Sequence, residues 1–373
     1  MSEYQCYDFY SIDRALSKDD IDMIRTYSSR VHPTSRRATF VYHYSDFPYD
    51  EVEVLNDFFD VMLYMANWGS RRFMMKFPAH LVSYEALKEY DIDASDEYDQ
   101  EIRVFKKGKN ILVDMSLSFE GGEWIDAEGV LDEMLPIRNQ VLHGDYRVLY
   151  LGWLHLASEH PDIPEDLREP RLPANLNQLD YSLESFVNFW EIDQDLIQAA
   201  SEKSEEEKII SDDVLKSQIV HLSTEEKHQY LEELMDNEVG AKNKLKKRLN
   251  ELYQGPQKEN QQQARLFSEI MEGMAKQHKE RMERERIAAE KAHLRKMERI
   301  GAQESKMWEE VGENAELKTA KGYEKATEIL KELKMYHHFK KSQASFDLKL
   351  GGILDKYGRS VAFKRRMRSN GIL

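Results

Sequence analysis

One long segment of the chain is built almost entirely from residues that favour helices. Residues 257–312 contain no proline, and glycine interrupts their interior at positions 273 and 301. Glu, Lys, Arg, Gln, Met and Ala dominate, and all of them have high helix propensity. We therefore predict a helix of roughly 80 Å at about 1.5 Å per residue. The apolar spacing at Phe267, Met271 and Met274 is typical of a coiled coil but then reaches Arg281, so pairing with another helix is expected only at the apolar ends.

Strand patterns are confined to the part of the chain before this segment. Aromatic and β-branched residues alternate in residues 4–12 and 38–44, and a short run at 73–77 ends at a proline. Two alternating runs, 102–107 and 111–117, flank a glycine-containing turn and predict a hairpin. Apolar residues at helical spacing predict helices at 17–29, 51–67, 130–142, 146–157 and 183–200. This order of elements predicts an α+β domain, a mixed sheet with packed helices.

After residue 201 the sequence carries only helical patterns. Ser223 and Glu226 form a capping box, Ser211 is placed as another helix start, and a strongly basic helix is predicted at 241–253. An amphipathic helix after Lys318 opens a hairpin of helices, which completes an all-α C-terminal half. We predict four segments: an acidic α+β domain at 1–200, a small helical segment at 201–255, a long charged helix or coiled-coil arm at 256–312, and a basic helical segment at 313–373.

Charge is distributed unevenly along the chain. The net charge is −16, but residues 1–240 sum to about −28 and residues 241–373 to about +12. An acidic first part repels phosphate, whereas a basic second part can supply the counterion release that drives nucleic-acid binding. Two basic clusters are the candidate contacts to phosphate or to an acidic partner. The first is Lys364, Arg365, Arg366 and Arg368, and the second, within 242–248, is Lys246, Lys247 and Arg248. The alternative interpretation is that both belong to solvated helices.

Motifs of catalysis and of cofactor binding do not occur in the sequence. There is no phosphate-binding glycine loop, no nucleophile elbow and no His-Glu-x-x-His pair, so we predict no catalytic residue and no cofactor. Cys6 is the single cysteine and the histidines are scattered, so neither a disulfide nor a metal site is expected. An enzyme with an unfamiliar site would need a pocket lined by Arg71, Arg72, His143 or Asp145.

Two local patterns have both a functional and a structural interpretation. The acidic run at 91–97 resembles the start of a calcium loop, but it lacks the glycine and the final glutamate of such loops, which favours a solvated loop. Trp68, Arg71 and Arg72 follow a predicted helix and could stack on or bind an anion. The neighbouring methionines favour instead a Trp68 that is packed in the core.

The sequence gives no sign of a membrane segment. No stretch approaches the roughly 20 apolar residues that cross a bilayer, and the first residues do not form a secretory signal. A single cysteine suits a reducing compartment. We therefore predict a cytoplasmic protein without membrane association.

The first 200 residues resemble a bacterial protein family to which no activity is assigned. The resemblance lies in Ile12-Asp13-Arg14, in residues 27–30 and 42–47, in 63–72 with its Ala-Asn-Trp-Gly, and in 144–154 with its Leu-Tyr-Leu-Gly-Trp-Leu. It implies a shared organisation and no mechanism. The segment 323–333 and the basic residues after it are similar to the C-terminal tail of bacterial SWIM zinc-finger proteins. The zinc finger itself is missing, because the chain has one cysteine.

These observations favour a non-catalytic scaffold or adaptor that binds another protein. Its acidic α+β domain would bind the partner, and the helical arm would dock or form a homo-oligomer. The alternative is an accessory subunit of a nucleic-acid-processing or defence assembly, which would bind DNA or RNA through the basic C-terminal half. Salt-dependent binding of nucleic acid distinguishes the two.

Overall fold

The computed structural model describes residues 4–94, 100–118, 129–159, 164–206, 212–235, 241–254 and 264–373. It forms two compact units, Met1–His278 and Lys279–Leu373. The first unit contains a β-sheet with packed helices, and in the second the described elements are helices. The predicted fold class, an α+β domain followed by a helical half with a long helix, is confirmed.

The sheet of the first unit has seven described strands in the order β2-β1-β3-β4-β7-β6-β5. All of the described pairs are antiparallel, so the prediction of a mixed sheet was wrong. The reason is that β1 lies between β2 and β3: these two strands run parallel to each other but do not pair with each other, and each pairs with β1 instead. The strands are β1 Gln5–Tyr10, β2 Arg37–Tyr42, β3 Val61–Ala66, β4 Ser70–Pro78, β5 Ile92–Ala94, β6 Gln100–Lys107 and β7 Asn110–Ser118.

Helices cover both faces of this sheet. Val61 and Leu63 of β3 belong to one apolar core, and Met62 belongs to another, because successive side chains of a strand point to opposite faces. The first core is closed by α4 to α7 and the second by α1 and α2. The helices up to residue 254 are α1 Lys18–Arg25, α2 Glu51–Phe58, α3 Tyr84–Lys88, α4 Val130–Leu142, α5 Arg147–Glu159, α6 Tyr181–Phe189, α7 Gln194–Ser201, α8 Asp212–Ser217, a 3-10 helix Gln218–His221, α9 Thr224–Met235 and α10 Ala241–Gln254.

Two of the predicted helices are divided in the structure. Residues 51–67 form α2 and then β3, because the backbone becomes extended at Phe59 and Val61–Ala66 is buried on both faces of the sheet. Residues 183–200 are split between α6 and α7. Glu191 has a φ of 53°, which ends the first helix, and the Asp193 carboxylate accepts hydrogen bonds from the first turn of the next.

The hairpin and the helices that close the first domain were predicted correctly. Strands β6 and β7 pair across the turn at Gly108, whose φ is +59°. Helices α4 and α5 are separated by Gly144, which takes a φ of +87°, and the Asp145 carboxylate accepts a hydrogen bond from the Arg147 backbone N–H at 3.2 Å. The predicted helix start at Ser211 and residues 255–263 lie outside the described residues.

The long helix is α11, Phe267–Glu316, and its first turns belong to the core of the first unit. Phe267 is 3% exposed and meets the Trp153 ring edge-on at 5.7 Å. Just before the helix, the Arg265 guanidinium donates two hydrogen bonds to the buried carboxylate of Glu169, at 2.7 and 2.8 Å. The apolar positions that resemble a coiled-coil seam therefore pack inside the unit, and pairing of this helix with a second chain stays a prediction.

The second unit is a bundle of helices. The later part of α11 packs with α12 Ala320–Phe339, α13 Gln343–Tyr357 and α14 Val361–Ser369. Its core includes Leu330, Leu333, Phe346 and Phe363, all fully buried. The predicted amphipathic helix after Lys318 and the hairpin that follows it are confirmed.

Candidate functional site

The basic cluster near residue 365 lies on α14, and the packing of that helix decides which way the cluster faces. Phe363 and Met367 are fully buried, as residues four apart on one helix face should be. Phe363 stacks on Tyr323 of α12 with 5.0 Å between ring centroids. Ser360 caps the helix, since its hydroxyl accepts a hydrogen bond from the Phe363 backbone N–H at 3.3 Å. With one face held in the core, the cations of α14 are left at its flanks and on its outer side.

Two lysines of α12 extend this cationic surface. The Lys334 ammonium donates to the Gly371 carbonyl at 2.6 Å, and that of Lys331 to the Asn370 side-chain oxygen at 3.5 Å, so both reach the C-terminal end of α14. We call six cations of these two helices the basic face: Lys331, Lys334, Lys364, Arg365, Arg366 and Arg368. Of these six, Arg365, Arg368 and Lys331 are exposed, and the other three are half-buried.

Acidic side chains do not neutralise the basic face. Residues 356–373 contain six Lys and Arg and no Asp or Glu. Over the residues that the structure describes, no carboxylate oxygen lies within 4.0 Å of a basic-face nitrogen. The surface therefore carries positive charge that no described carboxylate compensates, and an anion that binds there competes with no described ion pair.

The helix dipole accounts for only part of this cluster. Arg366 and Arg368 lie in the last turn of α14, where cations interact favourably with the helix C-terminus. Lys364 and Arg365 lie earlier in the helix, and like charges one turn apart destabilise a helix by roughly 0.2–0.5 kcal/mol per pair. Helix stability alone thus gives no reason for four cations here.

The second predicted cluster, on α10, lies beside carboxylates that pair with part of it. The Arg248 guanidinium lies 2.8 Å from Glu226 and 3.6 Å from Glu251, and the Lys244 ammonium lies 3.5 Å from Glu233. The hydrogen bond to Glu226 raises the pKa of Arg248. The pKa of Glu226 is lowered by the Ser223 backbone N–H and by the Arg248 guanidinium.

A cavity of about 330 Å³ lies beside α10. Lys247, which is exposed, and Arg248 line it together with Glu233 and Glu251, so cations and carboxylates are mixed on its wall. Lys246 is half-buried on the same helix. Because carboxylates line the same wall as its cations, this cluster is a weaker anion site than the basic face.

The charges of the exposed middle of α11 are also balanced. Residues 279–290 contain four cations and four glutamates. Arg281 lies 3.4 Å from Glu285, and Arg286 lies 2.8 Å from Glu283. Pairs of this kind support the helix and match the interpretation of a solvated charged helix.

The residues proposed for an unfamiliar enzyme site are held by separate partners. Arg71 donates to the Phe189 carbonyl and lies 2.6 Å from Glu191, whereas Arg72 lies 2.6 Å from Asp114. Asp145 lies 2.7 Å from Arg147, and His143 is exposed at the end of α4. None of the four lines the cavity beside α10.

The prediction that Trp68 packs in the core was wrong. Trp68 is 41% exposed and its indole N–H donates to the Ser70 hydroxyl at 3.1 Å. It lies in the turn between β3 and β4, where the chain leaves the sheet. Stacking on Trp68 together with anion binding by Arg71 and Arg72 is not supported either, because both arginines are engaged elsewhere.

Sequence reasoning identified four residues of the basic face and missed Lys331 and Lys334. Their i, i+3 spacing on α12 is visible in the sequence, but nothing local shows that α14 packs beside them. The described ranges contain no group of three or more His, Cys, Asp or Glu placed to hold a metal ion. In those same ranges no helix is both long enough and apolar enough to cross a membrane. The acidic run at 91–97 falls partly outside the described residues.

Comparison with protein-family models, curated proteins and solved structures finds no significant match for this chain.

Proposed function

We propose that this chain is a non-catalytic adaptor that docks onto a polyanionic surface through its basic face. The observation that carries the proposal is the uncompensated charge of Lys331, Lys334 and the four cations of α14. The other two basic regions, on α10 and in the middle of α11, hold several of their cations beside carboxylates. A surface whose cations lie away from the described carboxylates favours binding of an external anionic partner.

The proposal includes a division of labour between the two units. The first unit, with a sheet buried on both faces, supplies an acidic body suited to a protein partner, and the long helix is the segment through which copies could associate. A nucleic-acid-processing or defence assembly is the form of the proposal in which the polyanion is DNA or RNA. We place the protein in the cytoplasm, where its lone, buried Cys6 stays reduced.

Retention on immobilised heparin, a sulfated polyanion, tests the docking surface. The double variant R365Q/R368Q removes two exposed charges of the basic face and should elute at lower salt than the natural chain, because fewer anionic groups are neutralised. The control R281Q/R286Q removes the same net charge from α11, where both cations already have glutamate partners, and should elute close to the natural chain. Equal shifts for the two variants would show that retention reflects net charge alone.

A further inference from the structure

The composition of the basic face narrows the class of polyanion that it fits. We infer that the partner is the phosphate backbone of a double-stranded nucleic acid, bound without sequence preference. This inference rests on the proposed function and specifies its ligand. Three classes carry dense negative charge and must be compared: an acidic protein, a single strand and a duplex.

An acidic protein surface is disfavoured because the basic face has no apolar centre in which its arginines could be desolvated. Protein interfaces depend on a few large, desolvated side chains, mostly aromatic residues and arginine, in a well-packed apolar centre. The apolar side chains of this segment are turned inward: Phe363 and Met367 are fully buried and Ile372 is 5% exposed. Val361 and Leu373 are exposed, but single exposed aliphatic residues are ordinary on protein surfaces.

A single strand is disfavoured because the face offers no ring on which a base could stack. Proteins that bind single strands combine cations with exposed aromatic side chains. Phe363 is stacked on Tyr323, and Tyr357 is half-buried beneath the Lys356 ammonium, 5.0 Å from its ring centroid. Among described Phe, Tyr and Trp residues of the second unit, Phe339 is the exposed one, and it packs edge-on against His293 at 5.6 Å.

Non-specific binding of a duplex requires only exposed cations, and the basic face provides them. Its backbone carries one negative charge per about 1.7 Å of axis, and cations alone supply non-specific affinity by releasing counterions. Arginine binds phosphate through two parallel N–H groups, and Arg365 and Arg368 lie three residues apart on the outer side of α14. Lys331 and Lys334 continue the surface at the end of that helix. Cations without aromatic or apolar anchors thus favour contacts to phosphate over contacts to bases.

Fluorescence anisotropy of the full chain with labelled probes at low salt tests this inference. The probes are DNA duplexes of two unrelated sequences, an RNA duplex, the single strands of the first duplex, and polyglutamate. We expect at least one kind of duplex to bind more tightly than single strands and polyglutamate, with similar affinity for the two DNA sequences. R365Q/R368Q should weaken duplex binding by about tenfold, whereas R281Q/R286Q should change it little.

The outcomes separate this inference from the proposed function. Tighter binding of single strands or of polyglutamate, weakened by R365Q/R368Q, would overturn the duplex assignment and keep the docking surface. A marked preference for one of the two DNA sequences would also overturn it, since bases would then be read. No binding of any probe at low salt would overturn both proposals. Circular dichroism of the variants checks that the helices are retained.

Discussion

Arg138 and Asp114 show how charged side chains are treated inside the first unit. The Arg138 guanidinium is fully buried and donates to both carboxylate oxygens of Asp13, at 2.9 and 2.6 Å. The buried Asp114 accepts from Arg72 at 2.7 and 2.6 Å. Removing one partner of such a pair typically costs about 3–5 kcal/mol, because an uncompensated charge stays buried. Against this pattern, the cations of α14 stand out because they have no carboxylate partner among the described residues.

His155 makes the stability of the first unit sensitive to acid. It is 4% exposed on α5, and burial lowers its pKa to about 4. An unfolded histidine titrates near 6.5, so between about pH 6.5 and pH 4 the unfolded state binds more protons than the folded state. Stability should therefore be full above pH 6.5 and fall as the pH drops towards 4, by roughly 3 kcal/mol for this group.

Denaturant unfolding of the natural chain and of His155→Phe at pH 7 and pH 4.5 measures this contribution. Both proteins lose stability from other titrating groups, so the comparison isolates His155. The natural chain should lose more free energy of unfolding than the variant over this range. Equal losses would show that His155 is not kept neutral by burial.

The elements of the fold differ in how well their sequence defines them. The hairpin of β6 and β7 could be predicted because alternation and a turn at Gly108 agree. The strand Val61–Ala66 could not be predicted, because a strand buried on both faces is apolar throughout and its sequence resembles part of a buried helix. The division of α6 from α7 depends on the backbone at Glu191, which apolar spacing does not reveal.

The candidate site was predictable to the extent that its chemistry is local. The run of four cations in residues 364–368 is visible in the sequence and led to Lys364, Arg365, Arg366 and Arg368. The ion pair between Arg248 and Glu226 could not be predicted, because it joins α10 to α9 and the sequence does not show that these two helices pack together. The two basic clusters of the sequence thus correspond to surfaces that differ in their acidic neighbours.

Helix α5 approaches the sheet so closely that it requires glycine at one position. A Cβ on Gly152 would lie 3.0 Å from Ile102 and 3.3 Å from Met115, both in the core. We expect Gly152→Val to destabilise the protein by about 1–3 kcal/mol through overpacking. Gly351 in α13 meets nothing within 4 Å, so Gly351→Ala should instead stabilise its helix by about 0.5–1 kcal/mol.

Thermal and denaturant unfolding of the two glycine variants should show shifts of opposite sign. A neutral or stabilising Gly152→Val would mean that α5 can move away from β6 and β7 at little cost. Destabilisation by Gly351→Ala would contradict the open space assigned to that position.

For the whole molecule, the net charge of −16 does not describe the charge of the surface to which a partner would bind. Residues 279–373 contain 23 Lys and Arg against 15 Asp and Glu, so the second unit is basic while the chain is acidic. At physiological salt, exposed charges are screened beyond about 8 Å. The composition of the surface in contact, rather than the total charge, therefore governs binding to a polyanion.

The salt dependence of duplex binding shows whether the basic face makes the contacts to phosphate. Plotting the logarithm of the association constant against the logarithm of salt concentration, between about 50 and 200 mM, counts the phosphates neutralised, with a slope near −0.9 per phosphate. If the basic face makes the contact, R365Q/R368Q should reduce the steepness of the slope by about two, and R281Q/R286Q should leave it unchanged. A slope that stays the same in R365Q/R368Q, or that changes equally in both variants, would rule out the basic face as the surface that binds phosphate.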